Sequence, residues 1–288
     1  MSDNVVRIRI MVVLLLVAVA TVVWSLGAGF AGAQPTNDNL LKVHFLDVGQ
    51  GDATFIESPD GVQVLIDGGK DSSVLRELGK VMGWRDRTID LLIATHPDGD
   101  HIGGLIDVLR RYEVATIMIT DNETDSPVAP VFFAAVEAEG AEVVYAEAGQ
   151  VFELGASTTL EILFPVGSVS EMETNASSIA AQLQFGEIEF LFTGDAPKSI
   201  EAYLVDTYGS ALASEVLKVG HHGSKTSTAE TFVTAVDPDF AVISAAKDNP
   251  YGHPHEEVIN VLDDVVVLGT YDAGTTSFLS NGREVWQK

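Results

Sequence analysis

The segment Thr95-His96-Pro97-Asp98-Gly99-Asp100-His101-Ile102-Gly103-Gly104 contains two histidines and two aspartates within the six residues 96–101. Residues 89–94, directly before it, form a short apolar run that predicts a buried strand, and residues 103–110 open like a helix. Loops between a strand and a helix carry the chemistry of many α/β proteins. Neutral imidazoles and ionised carboxylates are ligands of divalent metals, so this segment predicts a metal site rather than a polar loop with incidental histidines.

The composition favours a folded globular protein with a large negative charge. The 288 residues are 46% hydrophobic, enough for a sizeable core, and they include no cysteine. That excludes disulfides, cysteine-ligated zinc and iron–sulfur clusters. Asp and Glu outnumber Lys and Arg by 42 to 16, and the formal charge of −26 repels nucleic-acid phosphates at low salt. A local metal centre can outweigh that mean field, so the charge does not decide the substrate.

The first 33 residues predict a separate targeting unit. Two arginines precede the apolar run at 10–24, and Ala31-Gly32-Ala33 precedes Gln34. This pattern is typical of a secretory signal peptide, and we expect cleavage after Ala33. An uncleaved N-terminal anchor is the alternative, because the run is long enough to span a bilayer. In both cases a linker at 34–40 leads to residues 41–288, which we expect outside the cytoplasm, secreted or anchored to the outer face of the cytoplasmic membrane.

Residues 41–288 alternate between predicted strands and helices without an internal linker. Strands with a period of two form hairpins near both ends, and apolar strands followed by helices form βα units between them. Hairpins mixed with βα units favour an α/β (α+β) arrangement in which helices cover the sheets. We therefore predict a single domain.

Six of the seven histidines occur in pairs that each follow a predicted strand. The pairs are His96 with His101, His221 with His222, and His253 with His255. Asp67 and Asp195 also end apolar strands, each with a glycine beside it. Strands that end at one edge of a sheet bring such groups together, so we expect them to form one site.

Six segments resemble the metallo-β-lactamase superfamily, whose signature is His-x-His-x-Asp-His, and within it the hydrolase domains of the ComEC competence proteins. The segments are residues 46–53 (LDVGQGDA), 66–69 (IDGG), 95–104 (THPDGDHIGG), 193–195 (TGD), 221–224 (HHGS) and 249–255 (NPYGHPH). The resemblance covers residues 41–288. It implies a four-layer αββα sandwich with its site at one edge of the two sheets.

The resemblance also implies a role for each matched side chain. It makes His96 and Asp98 ligands of one metal, Asp100 and His101 ligands of a second, and Asp195 the bridge between them. His253 would be the last ligand and His222 the histidine nearest the substrate phosphate, although His221 and His222 could exchange roles. Asp67 would orient the loop ligands, with a capped turn as its alternative. A structural turn explains Asp52 as well as a site role does, and a helix start explains His255.

Two departures from the family pattern bear on the metal. Asp98 stands where most members have histidine, and Asn175 and Ser178 lie in the region where a further histidine is expected. The first metal position therefore has fewer and harder ligands. We expect one or two divalent ions, and these ligands favour Mn²⁺ or Mg²⁺, or a weak second site, over a tightly held pair of Zn²⁺. The departures also argue against β-lactamase activity.

The resemblance implies a metal-dependent hydrolase, a phosphodiesterase or nuclease that uses a metal-activated water, with Asp98 or His222 handling the proton, and the N-terminal segment predicts that it is exported. The expected substrate is a phosphodiester, with DNA as a candidate. The alternatives are a lactone, ester or lactam hydrolase on the same fold, and a non-enzymatic binding protein with a degenerate site. The sequence indicates no protein partner, and we expect membrane contact only through the N-terminal segment.

Overall fold

The computed structural model describes residues 39–155 and 157–288. The predicted signal peptide or anchor, and most of the predicted linker, lie outside these residues. Within them, no helix combines the length and apolarity that crossing a membrane requires.

The described residues form two mixed sheets that pack face to face. The first has the strand order β15-β14-β1-β2-β3-β4-β5-β6, and the second has the order β13-β12-β11-β10-β9-β8-β7. The strands are β1 Leu41–Phe45, β2 Thr54–Glu57, β3 Gln63–Ile66, β4 Thr88–Ile93, β5 Glu113–Ile119, β6 Glu142–Tyr145, β7 Val151–Glu153, β8 Thr158–Phe164, β9 Ala180–Phe185, β10 Ile188–Phe192, β11 Val216–Lys218, β12 Phe240–Ile243, β13 Val266–Gly269, β14 Thr276–Ser280 and β15 Val285–Gln287.

Helices cover the outer faces of both sheets. They are α1 Ser73–Val81, α2 Gly99–Ile102, α3 Leu105–Leu109, α4 Ala129–Glu139, α5 Lys198–Tyr208, α6 Glu230–Val236, α7 Glu256–Val261 and α8 Thr270–Ala273. Apolar side chains of α1, α3 and α4 pack on the first sheet, and those of α5 and α6 pack on the second. A separate core between the sheets includes Phe45, Phe190 and Phe278. The predicted four-layer αββα sandwich and single domain are confirmed.

One edge of the sandwich collects the loops that carry the predicted site residues. Strands β3 to β6 run parallel in the first sheet, and β10 to β13 run parallel in the second. The loops after β3, β4, β10, β11 and β12 therefore leave from carboxyl ends of strands, where α/β proteins place their ligands.

The histidine-rich segment is more helical than the sequence predicts. Instead of a loop followed by one helix from residue 103, the chain forms the single turn α2 and then α3, with Gly103 and Gly104 between them. At the break, the Gly104 N–H donates to the Gly69 carbonyl at 2.9 Å, outside the helix, and a Cβ on Gly104 would lie 2.0 Å from the carbonyl oxygen of Gly68. Strand β7 and helix α8, both short, were not anticipated.

Candidate metal centre

Asp67 orients the histidine-rich segment through contacts with Thr95 and His101. It follows β3 in a left-handed conformation, with φ of 59°, and it is buried. Its carboxylate accepts the Thr95 N–H at 2.8 Å and the Thr95 hydroxyl at 2.7 Å, and lies 2.8 Å from His101 Nδ1. Because the Asp67 carboxylate occupies Nδ1 of His101, the other ring nitrogen, Nε2, faces the cluster. Carboxylates commonly orient metal-binding histidines in this way. Burial raises the pKa of Asp67, although the charge of His101 acts in the opposite direction.

Asp195 is the carboxylate around which the other side chains gather. Its oxygens lie near four Nε2 atoms, at 3.3 Å from His101, 3.4 Å from His222, 3.7 Å from His221 and 4.0 Å from His96. Asp195 follows β10, and its N–H donates to Ser178 Oγ at 3.1 Å. Burial favours the neutral acid, but the charges of His222 and His101 bring the pKa of Asp195 well below its ordinary value. A carboxylate among four imidazole nitrogens could bridge two ions.

His221 and His222 occupy different places although they are neighbours. Both have left-handed backbone conformations, with φ of 48° and 55°, which residues other than glycine rarely adopt. His222 is buried, and its Nε2 lies 3.4 Å from oxygens of both Asp100 and Asp195. The His221 side chain is 23% exposed, and its Nδ1 lies 2.9 Å from Thr226 Oγ1. Of the two histidines that could exchange roles, His222 therefore has the buried position and His221 the more open one.

A buried ion pair behind His222 includes a residue that the sequence did not single out. Asp52 Oδ1 lies 3.1 Å from His222 Nδ1, and Lys218 Nζ donates to Asp52 Oδ2 at 2.7 Å. Burial opposes ionisation of Asp52, but Lys218 and His222 lower its pKa to about 2. The available signal was a lysine inside the apolar run at 216–219, where a buried charge requires a partner.

Asp98 and Asp100 lie at the open side of the cluster. Their side chains are 37% and 30% exposed, and Asp98 Oδ2 is 3.8 Å from His96 Nε2. Burial raises the pKa of Asp98. Burial acts in the same direction on Asp100, but the close approach of His222 Nε2, at 3.4 Å, and the charge of His101 lower its pKa overall. The two carboxylates therefore differ in their readiness to hold a proton.

His253 approaches the cluster from the loop after β12. Asn249 fixes this loop, since its side chain accepts the His253 N–H at 2.9 Å and donates to the His253 carbonyl at 2.6 Å. The His253 ring lies 5.7 Å from that of His221 and 6.3 Å from that of His222, centroid to centroid. Burial and the charge of His222 lower the pKa of His253 to about 4. His255 instead precedes α7, as expected of a helix-start residue.

Several polar atoms of the cluster are buried without a hydrogen-bond partner. Ten such side-chain atoms occur within residues 39–155 and 157–288, and half of them belong here. These are Nε2 of His96, His101 and His222, Oδ1 of Asp195 and Nδ1 of His253. Each unpaired buried group costs about 1–3 kcal/mol. A divalent cation satisfies imidazole nitrogens and carboxylate oxygens together, so the residues present fit a metal centre.

The most compact set of possible ligand atoms is buried throughout. Atoms of Asp52, His101, Asp195 and His222 all lie within 4.8 Å of one another. Asp52 suits an outer position better than direct ligation, because Lys218 and His222 already engage both its oxygens. Asp100, whose Oδ2 lies 3.4 Å from His222 Nε2, could take the fourth place instead.

Asn175 and Ser178, named from the sequence as further site residues, belong to one turn beside this set. The Asn175 carbonyl accepts the Ser178 N–H at 3.1 Å in a 3-10 turn. Ser178 Oγ in turn accepts the N–H of Asp195. Both residues therefore shape the support of Asp195, and for Asn175 the contribution comes from its backbone.

The chain matches known proteins in both sequence and fold. It is 30% identical over 266 residues to "ComE operon protein 3" of Bacillus subtilis (strain 168), covering 84% of this chain and 33% of that protein. It is 31% identical over 226 residues to "Recombination protein 2" of Haemophilus influenzae, covering 77% and 26%. "Competence protein ComA" of Neisseria gonorrhoeae is 30% identical over 236 residues, with 81% and 31% covered. The chain thus spans about a third or less of these relatives.

Among solved structures, CmlA, a diiron β-hydroxylase from Streptomyces venezuelae, shares the fold with a TM-score of 0.53 at 16% identity, over 81% of this chain and 53% of CmlA. The family model of the metallo-beta-lactamase superfamily matches residues 46–247. The fold and the buried ligand cluster support a metal-dependent hydrolase. Because the matched residues make up well over half of the sequence, the chain belongs to the metallo-β-lactamase superfamily.

Proposed function

We propose that this protein is a metal-dependent phosphodiesterase that cleaves nucleic-acid strands. The observation that carries the proposal is the oxygen-rich ligand set, in which three carboxylates, Asp98, Asp100 and Asp195, stand among the histidines. Carboxylate oxygens favour Mn²⁺ and Mg²⁺, the ions that phosphoryl chemistry commonly uses. Relatives that are named competence and recombination proteins support a nucleic-acid substrate.

The residues divide into two groups about Asp195. Asp100, His101 and His222 would hold an ion on one side, and His96, Asp98 and His221 would hold one on the other. When bound, such ions supply hydroxide at neutral pH and stabilise the charge that develops on a phosphoryl oxygen.

Asp98 is the better candidate for proton transfer. His222 has Nδ1 beside Asp52, and its Nε2, which faces Asp100 and Asp195, would be a metal ligand, so neither nitrogen would remain for proton transfer. Asp98 is half-buried at the open side, and burial raises its pKa. A carboxylate in that setting can accept a proton from water and return it to a leaving oxygen.

A substrate panel tests the proposal. Purified protein would be assayed on bis-p-nitrophenyl phosphate, single-stranded DNA and a set of lactones, with Mn²⁺, Mg²⁺ or Zn²⁺ at low and high salt. We expect phosphodiester cleavage to exceed lactone opening, with Mn²⁺ as the best ion. The Asp195→Asn variant, purified in parallel, controls for contaminating nucleases. Lactone hydrolysis without phosphodiester cleavage would contradict the proposal, and metal binding without either would favour a binding protein.

We further propose that the domain acts outside the cytoplasm, on the basis of the arginines and the apolar run before residue 34. N-terminal sequencing of secreted protein should begin at Gln34, whereas an uncleaved anchor would place the full-length chain in the membrane fraction. Full-length chain recovered in the soluble cytoplasm would refute export.

A further inference from the structure

Lys218 lies outside every segment that identifies the family, yet it is the only buried lysine or arginine in the part of the chain that the structure describes. It ends β11 in the second sheet, and its Nζ donates to Asp52 Oδ2 at 2.7 Å and to the Val219 carbonyl at 3.0 Å. Asp52 lies on the loop after β1 in the first sheet. The ion pair therefore bridges the two sheets directly behind the metal cluster.

The ion pair between Asp52 and Lys218 contacts the imidazole of His222 through the Asp52 carboxylate. Asp52 Oδ1 lies 3.1 Å from His222 Nδ1, and the Ser244 carbonyl lies 3.0 Å from the same nitrogen. A carboxylate and a carbonyl are both acceptors, so Nδ1 must carry the proton when the ring is neutral. The lone pair is then on Nε2, which faces Asp100 and Asp195. The contacts behind the ring thus select the tautomer that binds a metal.

The backbone of His222 makes this support necessary. With φ of 55° the residue is in a conformation that persists only where surrounding contacts determine it. The same loop also fixes the other side of the cluster, because the Asp52 N–H donates to the Asp100 carbonyl at 3.2 Å. At Gly51, φ is 124° and a Cβ would lie 2.1 Å from that carbonyl oxygen, so the loop packs directly on the Asp100 backbone.

We propose that Lys218 is a positioning residue for the metal centre. By holding Asp52 in place, it fixes the ring of His222 with Nε2 turned toward Asp100 and Asp195, the carboxylates that would hold an ion with it. The inference rests on the proposed metal centre but not on the identity of the substrate. It assigns Lys218 no contact with substrate.

The test is Zn²⁺ binding, measured by competition with a chromophoric chelator and without any substrate. Lys218→Met keeps the side-chain length and removes the charge. Changes to groups that support a metal ligand weaken binding by about 10- to 100-fold, and we expect a loss of that size. The matched control is Lys80→Met, which removes a cation from buried Glu77 in α1, away from the cluster. Its Zn²⁺ affinity should equal that of the wild type.

A ring signal separates positioning from general destabilisation. In Zn²⁺-loaded protein labelled with ¹⁵N-histidine, the Nδ1–H of His222 should give a protected downfield proton signal. Lys218→Met should lose or broaden it, and Lys80→Met should retain it. Wild-type affinity together with an unchanged signal in Lys218→Met would overturn the proposal.

A second variant covers the case in which Lys218→Met does not fold because Asp52 is left as an unpaired buried charge. The double variant Asp52→Asn/Lys218→Met removes both charges. It should fold yet bind Zn²⁺ at least about 10-fold more weakly than the wild type. Wild-type affinity in the folded double variant would also overturn the proposal. Loss of phosphodiester cleavage alone, with normal Zn²⁺ binding, would count against the proposed function and not against Lys218.

Discussion

At the scale of single residues, the centre is a concentration of negative charge in a small volume. Asp52 and Asp195 are almost fully buried, and Asp98 and Asp100 lie within reach of the same histidines. Burial lowers the pKa of His101, but the charges of Asp195 and Asp67 raise it well above its ordinary value. The raised pKa values of His101 and His222 favour protons on these two imidazoles, which offset part of the carboxylate charge. A divalent cation performs the same balancing without those protons, so metal binding and proton release are coupled.

The first prediction concerns Asp195, because it is the carboxylate shared by both halves of the cluster. Asp195→Asn keeps the shape and the N–H donated to Ser178 but removes the charge that attracts two cations. We expect bound metal and turnover on bis-p-nitrophenyl phosphate to fall by more than the 10- to 100-fold typical of supporting residues. Bound metal would be counted by mass spectrometry, with folding checked by circular dichroism.

The control for this prediction is His44→Asn. His44 is buried in β1, with Nδ1 2.7 Å from Ser277 Oγ, and has no part in the cluster. Its metal content and turnover should stay near the wild-type values. If Asp195→Asn binds and hydrolyses as the wild type does, the bridging role is wrong and the site must be rebuilt around residues 96–101.

The side chains that converge at the site could be predicted from the sequence, but the separate role of each side chain could not. Histidine and aspartate after apolar strands gave the positions of His96, His101 and Asp195, which the structure brings together. The roles of His221 and His222 depend on two left-handed backbone conformations, which no residue type in that segment specifies. The sequence could not connect Lys218 with the site, because its partner Asp52 is 166 positions away.

At the scale of elements, a close backbone contact joins the loop after β3 to the start of α3. Gly104 has an ordinary right-handed conformation, so alanine is allowed there by its backbone angles. A Cβ would nevertheless lie 2.0 Å from the Gly68 carbonyl oxygen and 2.5 Å from that of Asp71. The contact places Gly68, the neighbour of Asp67, at a fixed distance from the histidine-rich segment.

The second prediction compares two glycine-to-alanine variants by urea denaturation. Gly104→Ala should lower the free energy of unfolding by about 1–3 kcal/mol or more, since the obstructing atoms are backbone. Its metal content should also fall, because Asp67 must shift. Gly79→Ala in α1 meets nothing within 4 Å and should instead stabilise by about 0.5–1 kcal/mol through helix propensity. Shifts of the same sign in both variants would contradict this account.

The third prediction concerns the contact between α5 and the loop that precedes α6. Buried Glu201 accepts the N–H groups of Thr228 and Ala229. Burial nevertheless raises the pKa of Glu201 from 4.5 to about 7. Between these two values the folded state binds a proton that the unfolded state has released. Stability from this group is therefore present below pH 4.5 and is lost as the pH rises through 7, by about 3 kcal/mol in total.

Glu201→Gln isolates that contribution, because glutamine is neutral at every pH. The variant should be less stable than the wild type at pH 5, since one of the two N–H groups loses its acceptor. The difference in unfolding free energy should shift in favour of the variant by about 3 kcal/mol between pH 5 and pH 8. Urea denaturation at both values measures it, and parallel pH profiles for the two proteins would show that Glu201 does not titrate in this window.

Sequence patterns predict the long helices and strands, whereas tertiary contacts determine the short ones. Helix α5 lies between Pro197 and Gly209, and proline and glycine at helix ends are local signals that a sequence shows directly. The three-residue strand β7 and the four-residue helix α8 carry too few residues for a period to be read, so their form depends on neighbours. The interruption between α2 and α3 likewise involves a tertiary contact, because the Gly104 N–H donates to the Gly69 carbonyl at 2.9 Å.

At the scale of the whole molecule, charge is unevenly distributed along the chain. Between Arg111 and Arg283 the sequence contains four lysines and no arginine. These lysines are Lys198, Lys218, Lys225 and Lys247, each within six residues of a site histidine or aspartate. The cations of the second sheet therefore lie near the edge that carries the metal cluster, while carboxylates occur throughout.

The last prediction follows from the formal charge of −26. Like charges destabilise the compact state, and salt screens them over a distance of about 30 Å at 0.01 M but only 3 Å at 1 M. We therefore expect the melting temperature of metal-free protein to rise between tens of millimolar and molar KCl by at least about 2–4 °C, the shift that 1 kcal/mol produces in a domain of this size. KCl is chosen because sulfate would strengthen apolar burial in any protein, and a chelator in every sample prevents trace metal from adding its own stabilisation. A flat or falling curve would mean that local pairs such as Asp52 with Lys218, which salt screens poorly, set the electrostatic stability instead of the acidic surface.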